Sequence, residues 1–397
     1  MTQRPCVGFT GYYGMRNFGD DLFGVLCTAA ARQYWNADPL LVGPGIDGAP
    51  ARAMWPAALP AQMYGAPGAI GKAARVVGFV RGLHASDVLV MGGGSVITAR
   101  ESFRKPMMLS AVRRKRVQLA AVGVSVGPFP DAASESAAAA FVSQFSYLSA
   151  RDRRSYELAR RMGLDHIVHE GRDLAGLLQS VAPLQAQARG DEDRSVARIG
   201  IAPCRYQVRA DHPAPTPSQW HDAVVHAVTR MATRNALQVE IFSLNGHPQH
   251  GDEAMSEQLQ QRLRDRGIAT TLHAYTGGDP LRTVAAIRRC DAFISARLHG
   301  AIVAYLCSVP FAIVDYHPKC RDFADDIGLP AGLRITDGND DIAAFMYVVD
   351  ALLNDDDARA RLSPAVYAQQ AQDIFQCAPW STIPSTPHMR ASSAPAR

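Results

Sequence analysis

Short apolar runs alternate with amphipathic stretches along most of the chain, and this narrows the fold more than any other feature. Such alternation predicts βα units whose strands are buried in parallel sheets. In the first half the strand candidates are CVGFTG (6–11), PLLVG (39–43), DVLVMGG (87–93), VQLAAVGVSVG (117–127), YLSAR (147–151) and HIVHEG (166–171). Helical periodicity fills 20–34, 68–84, 104–115, 132–145 and 153–162. The pattern restarts at ARIGIAPCRY (197–206) and continues through LQVEIFSLN (237–245), ATTLHAY (269–275), DAFISAR (291–297) and PFAIVDY (310–316). Helices are expected over 217–233, 252–266, 279–289 and about 299–307.

Between the halves, SVAPLQAQARGDEDRS (180–195) is polar and lacks apolar periodicity, which marks a domain boundary. The expected division is a domain over 1–180, a second over 196–376, and a disordered tail over 377–397, rich in Pro, Ser and Ala. HASDVLVMGGGS (84–95) and RRCDAFISARLHG (288–300) share one layout: helix end, Asp, four apolar residues, polar loop. Two Rossmann-like α/β domains facing a cleft would explain this echo. Ligand groups would then stand at strand carboxyl ends.

With 397 residues, 47% of them hydrophobic, the chain can bury a large core. Its net charge of +4 is too small to indicate nucleic acid. The basic residues do concentrate between Arg100 and Arg116, where seven Lys and Arg face the single Glu101. That stretch reads either as a solvated helix face or as a surface for an anionic partner, such as a membrane leaflet or a lipid diphosphate. Seven cysteines are scattered without a CxxC pair and read as reduced thiols. The opening MTQRPCVGFTG enters a strand with no long apolar region before it. A cytoplasmic chain is expected, with peripheral contact at the inner face of the membrane.

Four segments carry the chemistry. GYYGMRNFGDD (11–21) follows a strand and opens a helix; Asn17 and Asp20 either cap that helix or offer polar groups to a ligand. MGGGSVI (91–97) reads as a glycine loop, a tight turn or a close ligand approach. SARDRRS (149–155) puts Arg151 at a strand end, suited to a carboxylate or phosphate or to an ion pair. SARLHGAIVAYLCSVPFAIVDYHPKC (295–320) is the most specific: Arg297 and His299 stand where an apolar strand breaks into an apolar helix, and Lys319 follows one βα step later. A helix N-terminus there favours phosphate. HPQH (247–250) lacks a third convergent ligand and reads as a polar loop, so no metal is expected.

Taken in order, GxxNxGDD, the strand into GGGS, SVGP, SARDRRS, APCRY, SARLHGAIVAYLCSVP and YHPK resemble the polysaccharide pyruvyl transferases from residue 6 to about 330. Asp21 stands where that family often has Glu, and 46–80 matches nothing in it. The resemblance implies a GT-B-like fold and a reaction moving the pyruvyl group of phosphoenolpyruvate onto a saccharide as a cyclic ketal, in exopolysaccharide or cell-wall polymer biosynthesis. Phosphoenolpyruvate is then a co-substrate, and no further cofactor is implied. The acceptor is a saccharide, lipid-linked or free, and nucleic acid is not a partner. By residue type, Arg151, Arg205, Arg297, His299 and Lys319 match the family's donor-binding or catalytic positions, and Asp20 its acidic one. His299 is expected as acid or phosphate ligand and Asp20 as base, with Asn17, Gly93, Gly94 and Ser95 in contact with substrate. Two rival readings remain: a GT-B glycosyltransferase using a nucleotide sugar, and a non-catalytic sugar-binding protein.

Overall fold

The computed structural model describes residues 4–100, 102–181, 196–206, 216–233, 236–336, 342–355 and 359–382. The strands are β1 (Cys6–Thr10), β2 (Asp38–Leu41), β3 (Arg52–Ala53), β4 (Val88–Ile97), β5 (Gln118–Val126), β6 (Tyr147–Ala150), β7 (Val168–Glu170), β8 (Ala197–Ala202), β9 (Leu237–Ser243), β10 (Ala269–Ala274), β11 (Ala292–Ser295), β12 (Phe311–Val314) and β13 (Arg334–Ile335). The helices are α1 (Phe18–Trp35), α2 (Ala61–Gly65), α3 (Gly68–Ala85), α4 (Arg104–Arg113), α5 (Ala132–Val142), α6 (Arg153–Arg161), α7 (Leu178–Val181), α8 (Pro217–Ala232), α9 (Glu253–Arg264), α10 (Pro280–Arg288), α11 (Leu298–Leu306), α12 (Pro318–Asp326), α13 (Ile342–Asn354) and α14 (Pro364–Gln376).

These elements form two parallel sheets. The first runs β3-β2-β1-β4-β5-β6-β7 and the second β10-β9-β8-β11-β12-β13. In both, the chain starts in the middle, winds outward to one edge, then returns to wind toward the other. The order therefore reverses between β1 and β4, and again between β8 and β11. At such a reversal the flanking helices leave on opposite faces and open a crevice beyond the strand carboxyl ends. The central strands are apolar on both faces, as a sheet covered by helices on each side requires: β5 and β11 are buried along almost their whole length.

The two compact units do not divide the chain at one point. The first comprises Met1–Met15, Asp20–Pro183 and Val366–Arg397; the second comprises Arg16–Gly19 and Leu184–Ala365. This corrects the expected boundaries at the C-terminus. α14 belongs with the first unit, where Trp35 stacks on Phe375 at 4.5 Å and donates its indole N–H to the Phe375 carbonyl. Tyr147 Oη donates to the Ile374 carbonyl at 2.6 Å. Residues 377–382 continue on the same surface, with Trp380 edge-on to Trp35 at 5.3 Å and the Thr382 N–H donating to the Tyr34 carbonyl. Composition alone missed this because the segment makes no core of its own and instead completes another. Positions 383–397 of the expected tail lie outside the described residues, as does most of the 180–195 boundary.

The GGGS stretch is likewise a correction. It is not a loop after β4 but part of it, pairing with β5 as far as Ile97 across a register shift between Gly94 and Ile97. Gly93 and Gly94 have φ of 76° and 82°, which lets the strand bend while it remains paired.

Candidate active site

In the second unit the site forms where β8 and β11 lie side by side. Beyond β11, Ser295 Oγ donates to the Arg297 carbonyl at 2.6 Å and accepts its N–H at 3.1 Å, closing the turn into α11. Arg297 occupies the N-cap position of α11 without capping it. Its guanidinium instead forms a bidentate pair with Asp252, Nε to Oδ2 at 2.7 Å and Nη2 to Oδ1 at 2.5 Å. Asp252 is fully buried, while the Arg297 side chain keeps 19% of its surface. Burial opposes the charge on Arg297, but the facing Cys204 and Asp252 outweigh it and hold the guanidinium pKa above its ordinary value. Nη1 makes no hydrogen bond among the described residues.

Asp252 was invisible as a functional residue in the sequence. It stands at the N-cap of α9, where an Asp reads as a capping group, yet its side chain makes no cap bond. Lys319 lies half-buried in the first turn of α12, behind the His317 cap. Both Arg297 and Lys319 act on the Cys204 thiol, which burial pushes up and these cations pull down. Tyr316 stacks on Tyr206 at 4.4 Å in the same neighbourhood. Arg205 has an exposed side chain; burial pushes the Asp252 carboxyl pKa up, and Arg297 with the Arg205 and Asn245 backbones oppose that rise. Asp315 is buried against Arg321 at 3.1 Å.

The segment Arg16–Gly19 is part of this unit. Asn17 bridges Asn245, the Phe18 N–H donates to the Leu244 carbonyl, and the Gly246 N–H donates to the Arg16 carbonyl. Asn17 Oδ1 accepts the Gly19 N–H at 3.1 Å, so Asn17 acts as the helix cap. A methyl group on Gly19 would lie 1.7 Å from His299 Nδ1. Gly19 is therefore glycine because the half-buried His299 ring lies against its backbone.

In the first unit, Asp20 lies beyond β1 in the first turn of α1, and Gly93, Gly94 and Ser95 lie in the bent second half of β4. Asp20 is half-buried, and its carboxylate is within 3.7 Å of where a Gly94 side chain would begin. Its neighbour Asp21 is buried and accepts the Gly14 N–H at 2.7 Å, a fold-forming role. Arg151 takes the ion-pair arrangement that its strand-end position also offered. Only 6% of its side chain is exposed, and it is bracketed by Asp152 at 3.6 Å and Asp173 at 3.8 Å, with Nη2 donating to Ser95 Oγ. Two buried carboxylates flank its guanidinium, which also holds the Ser95 hydroxyl. Arg104 has no carboxylate partner among the described residues; it donates to Thr10 Oγ1 at 3.3 Å and stands over the Phe79 ring.

His247 and His250 stack at 5.1 Å, and His247 Nδ1 accepts the Gln249 and His250 N–H groups, so HPQH closes its own turn. Among the described residues no group of three His, Cys, Asp or Glu side chains could hold a metal ion, and no helix is long and apolar enough to cross a membrane.

The model of the family described as polysaccharide pyruvyl transferase matches residues 17–318. No curated protein matches. Among solved structures, a UDP-N-acetylglucosamine 2-epimerase described as putative from Listeria monocytogenes superposes with a TM-score of 0.55 at 12% identity, covering 95% of this chain and 96% of that one. MnaA from S. aureus, solved with UDP, gives 0.56 at 10% identity, covering 94% and 95%. The UDP-GlcNAc 2-epimerase of Methanocaldococcus jannaschii gives 0.55 at 12% identity, covering 93% and 97%. These likenesses establish a GT-B-like fold of two parallel-sheet α/β domains.

Proposed function

The chain belongs to the polysaccharide pyruvyl transferase family, and from that premise we propose that it transfers the pyruvyl group of phosphoenolpyruvate to a saccharide as a cyclic ketal, releasing phosphate. The observation that carries this reading is Arg297, fixed by buried Asp252 at the N-terminus of α11, with His299 two residues on in the first turn and Lys319 in the same neighbourhood. Phosphoenolpyruvate carries a phosphate and a carboxylate, so it requires several fixed donors, and a helix N-terminus flanked by two cations supplies them.

The second unit is proposed as the donor side and the first as the acceptor side. His299 delivers a proton to the methylene carbon, which generates an oxocarbenium-like centre. One sugar hydroxyl attacks the cationic carbon, the one that bears the phosphate oxygen; the bond from that carbon to the phosphate oxygen then breaks, and a second hydroxyl closes the ketal, its proton leaving with the phosphate. Asp20, lying on Gly94 beneath the β4 bend, accepts the hydroxyl proton. Arg297 and Lys319 hold the anion, and Ser95 and the glycine backbone contact the sugar. The test is mass spectrometry of saccharide acceptors incubated with phosphoenolpyruvate, alongside phosphate release. The expected product gains the elements of pyruvic acid less one water. Glycosyl transfer from a UDP-sugar, with no ketal from phosphoenolpyruvate, would sink the reading.

A further inference from the structure

A surface helix usually turns its bulky apolar residues inward and its polar residues to water. α3 instead carries apolar residues on both faces. Its inner face is mostly small, with Gly71, Ala74, Gly78 and Gly82 buried beside Phe79 and Leu83. Gly82 lies so close to Val42 that an added methyl group would stand 2.6 Å from it. The outward face instead carries Ile70, Val76 and Val77, exposed by 62%, 36% and 46%, with Ala69 and Ala73 exposed between them. At 100° per residue these positions form one stripe, and exposed Lys72 and Arg81 flank it on opposite edges.

Charge continues the pattern. From Gly68 to Arg116 the chain holds ten Lys and Arg against only Asp87 and Glu101, and the Asp87 carboxylate is occupied by the Cys6 N–H at 2.8 Å. Arg113, Arg114, Lys115 and Arg116, at the end of α4, are all exposed. A groove of about 510 Å³ between the helices is lined by Leu83, His84, Pro106, Met107, Arg114 and Arg116.

We propose that the outward face of α3 and the basic end of α4 lie on an anionic phospholipid surface. The apolar stripe enters the acyl boundary, Lys72 and Arg81 extend their stems to the headgroups, and the α4 arginines meet lipid phosphates. The same charge disfavours a second copy of the chain, because the exposed Lys72, Arg81, Arg113, Arg114, Lys115 and Arg116 would face their own copies. This inference is independent of the pyruvyl transfer reading, since vesicle binding needs neither donor nor acceptor.

The full chain should sediment with phosphatidylcholine vesicles containing phosphatidylglycerol and stay in the supernatant with phosphatidylcholine alone. The pair Ile70→Glu and Val77→Glu, at exposed positions, should lower vesicle affinity at least about tenfold with unchanged circular dichroism. Arg114→Gln with Arg116→Gln should lower it about tenfold and weaken its salt dependence. Equal sedimentation with neutral and anionic vesicles, or unaltered binding by the glutamate pair, would overturn the proposal. So would a dimer in light scattering that the glutamate pair dissolves, which would make a second copy the occupant.

Discussion

The two sheets solve one problem twice. In the first unit Asp87, just before β4, accepts the Cys6 N–H at 2.8 Å and returns its own N–H to the Cys6 carbonyl. In the second unit Asp291, just before β11, does the same with Arg198, accepting its N–H at 2.7 Å. Each aspartate pins the returning strand to the start of the central one and so fixes the crevice where the winding reverses. The units differ in how they use an arginine beyond the strand ends. Arg151 is buried between two carboxylates at 3.6 and 3.8 Å, whereas Arg297 is gripped along one edge by one carboxylate and keeps the other edge open. A cation spent on two acids is scaffold; a cation fixed by one can still bind an anion.

The largest expected effect tests that contrast. Asp252→Ala leaves Arg297 mobile and its neighbourhood one buried charge out of balance. Turnover should fall at least about 10²-fold, and stability by about 3–5 kcal/mol, the cost of breaking a buried pair. Arg297→Lys should keep the fold and lower kcat/KM for phosphoenolpyruvate about 10²-fold, because the fork geometry is lost. Arg151→Lys should lower Tm and leave KM for phosphoenolpyruvate unchanged. A rise in that KM with unchanged Tm would place Arg151 among the ligand-binding cations and erase the contrast.

Next in size is Gly19→Ala. Helix propensity alone would favour alanine by about 1 kcal/mol. The methyl group would stand 1.7 Å from His299 Nδ1, so the ring must move. A displacement of about 1 Å at a reacting group costs on the order of 10²-fold in rate. Full activity with a raised Tm would mean that the His299 position carries no chemistry.

The strand order was legible because buried parallel strands read as apolar runs: β1, β8 and β11 fall inside CVGFTG, ARIGIAPCRY and DAFISAR, and β4 begins in DVLVMGG and runs on to Ile97. The short β3 and β13 were not, since two residues generate no periodicity. Arg297 and His299 were legible from a polar break between two apolar runs. Asp252 was not: GDE before a helix reads as a cap, and only tertiary structure brings its carboxylate to an arginine 45 residues away. Gly19 was legible as a glycine but not for its reason, which is a histidine 280 positions on. Arg151 at a strand end reads equally as a ligand group or an ion-pair partner, because strand-end position says nothing of the two acids folded around it.

Acid should separate the units next. His221, on α8 of the second unit, is 6% exposed, and burial together with the nearby Arg262 lowers its pKa to about 4. The unfolded chain takes up this proton near pH 6.5, whereas the folded one resists until about 4, so stability falls as pH drops through that window. Between pH 7 and pH 5 the loss is about 2 kcal/mol. His221→Leu should remove that part of the acid sensitivity. Hydrogen exchange at pH 5 should show α8 opening more readily than β4 and β5. Equal acid loss in the variant would assign the sensitivity elsewhere.

The smallest effect concerns how the first unit is finished. Its Trp35 is covered by Phe375 at 4.5 Å and by Trp380 at 5.3 Å, and Trp380 also meets Tyr147 at 6.1 Å. Trp380 is half-buried, so truncating it removes part of the about 3–5 kcal/mol that a fully buried tryptophan contributes. Trp380→Ala should lower stability by about 1–2 kcal/mol, a few degrees in Tm. Because the segment completes the first unit alone, the loss should be read in exchange of α1 and β6 and not in α11 or β11. Donor affinity, which the second unit is proposed to supply, should not change. An unchanged Tm would mean that the aromatic contacts around Trp35 are already complete with Phe375. A change in donor affinity would mean that the chain's end reaches beyond the unit it closes.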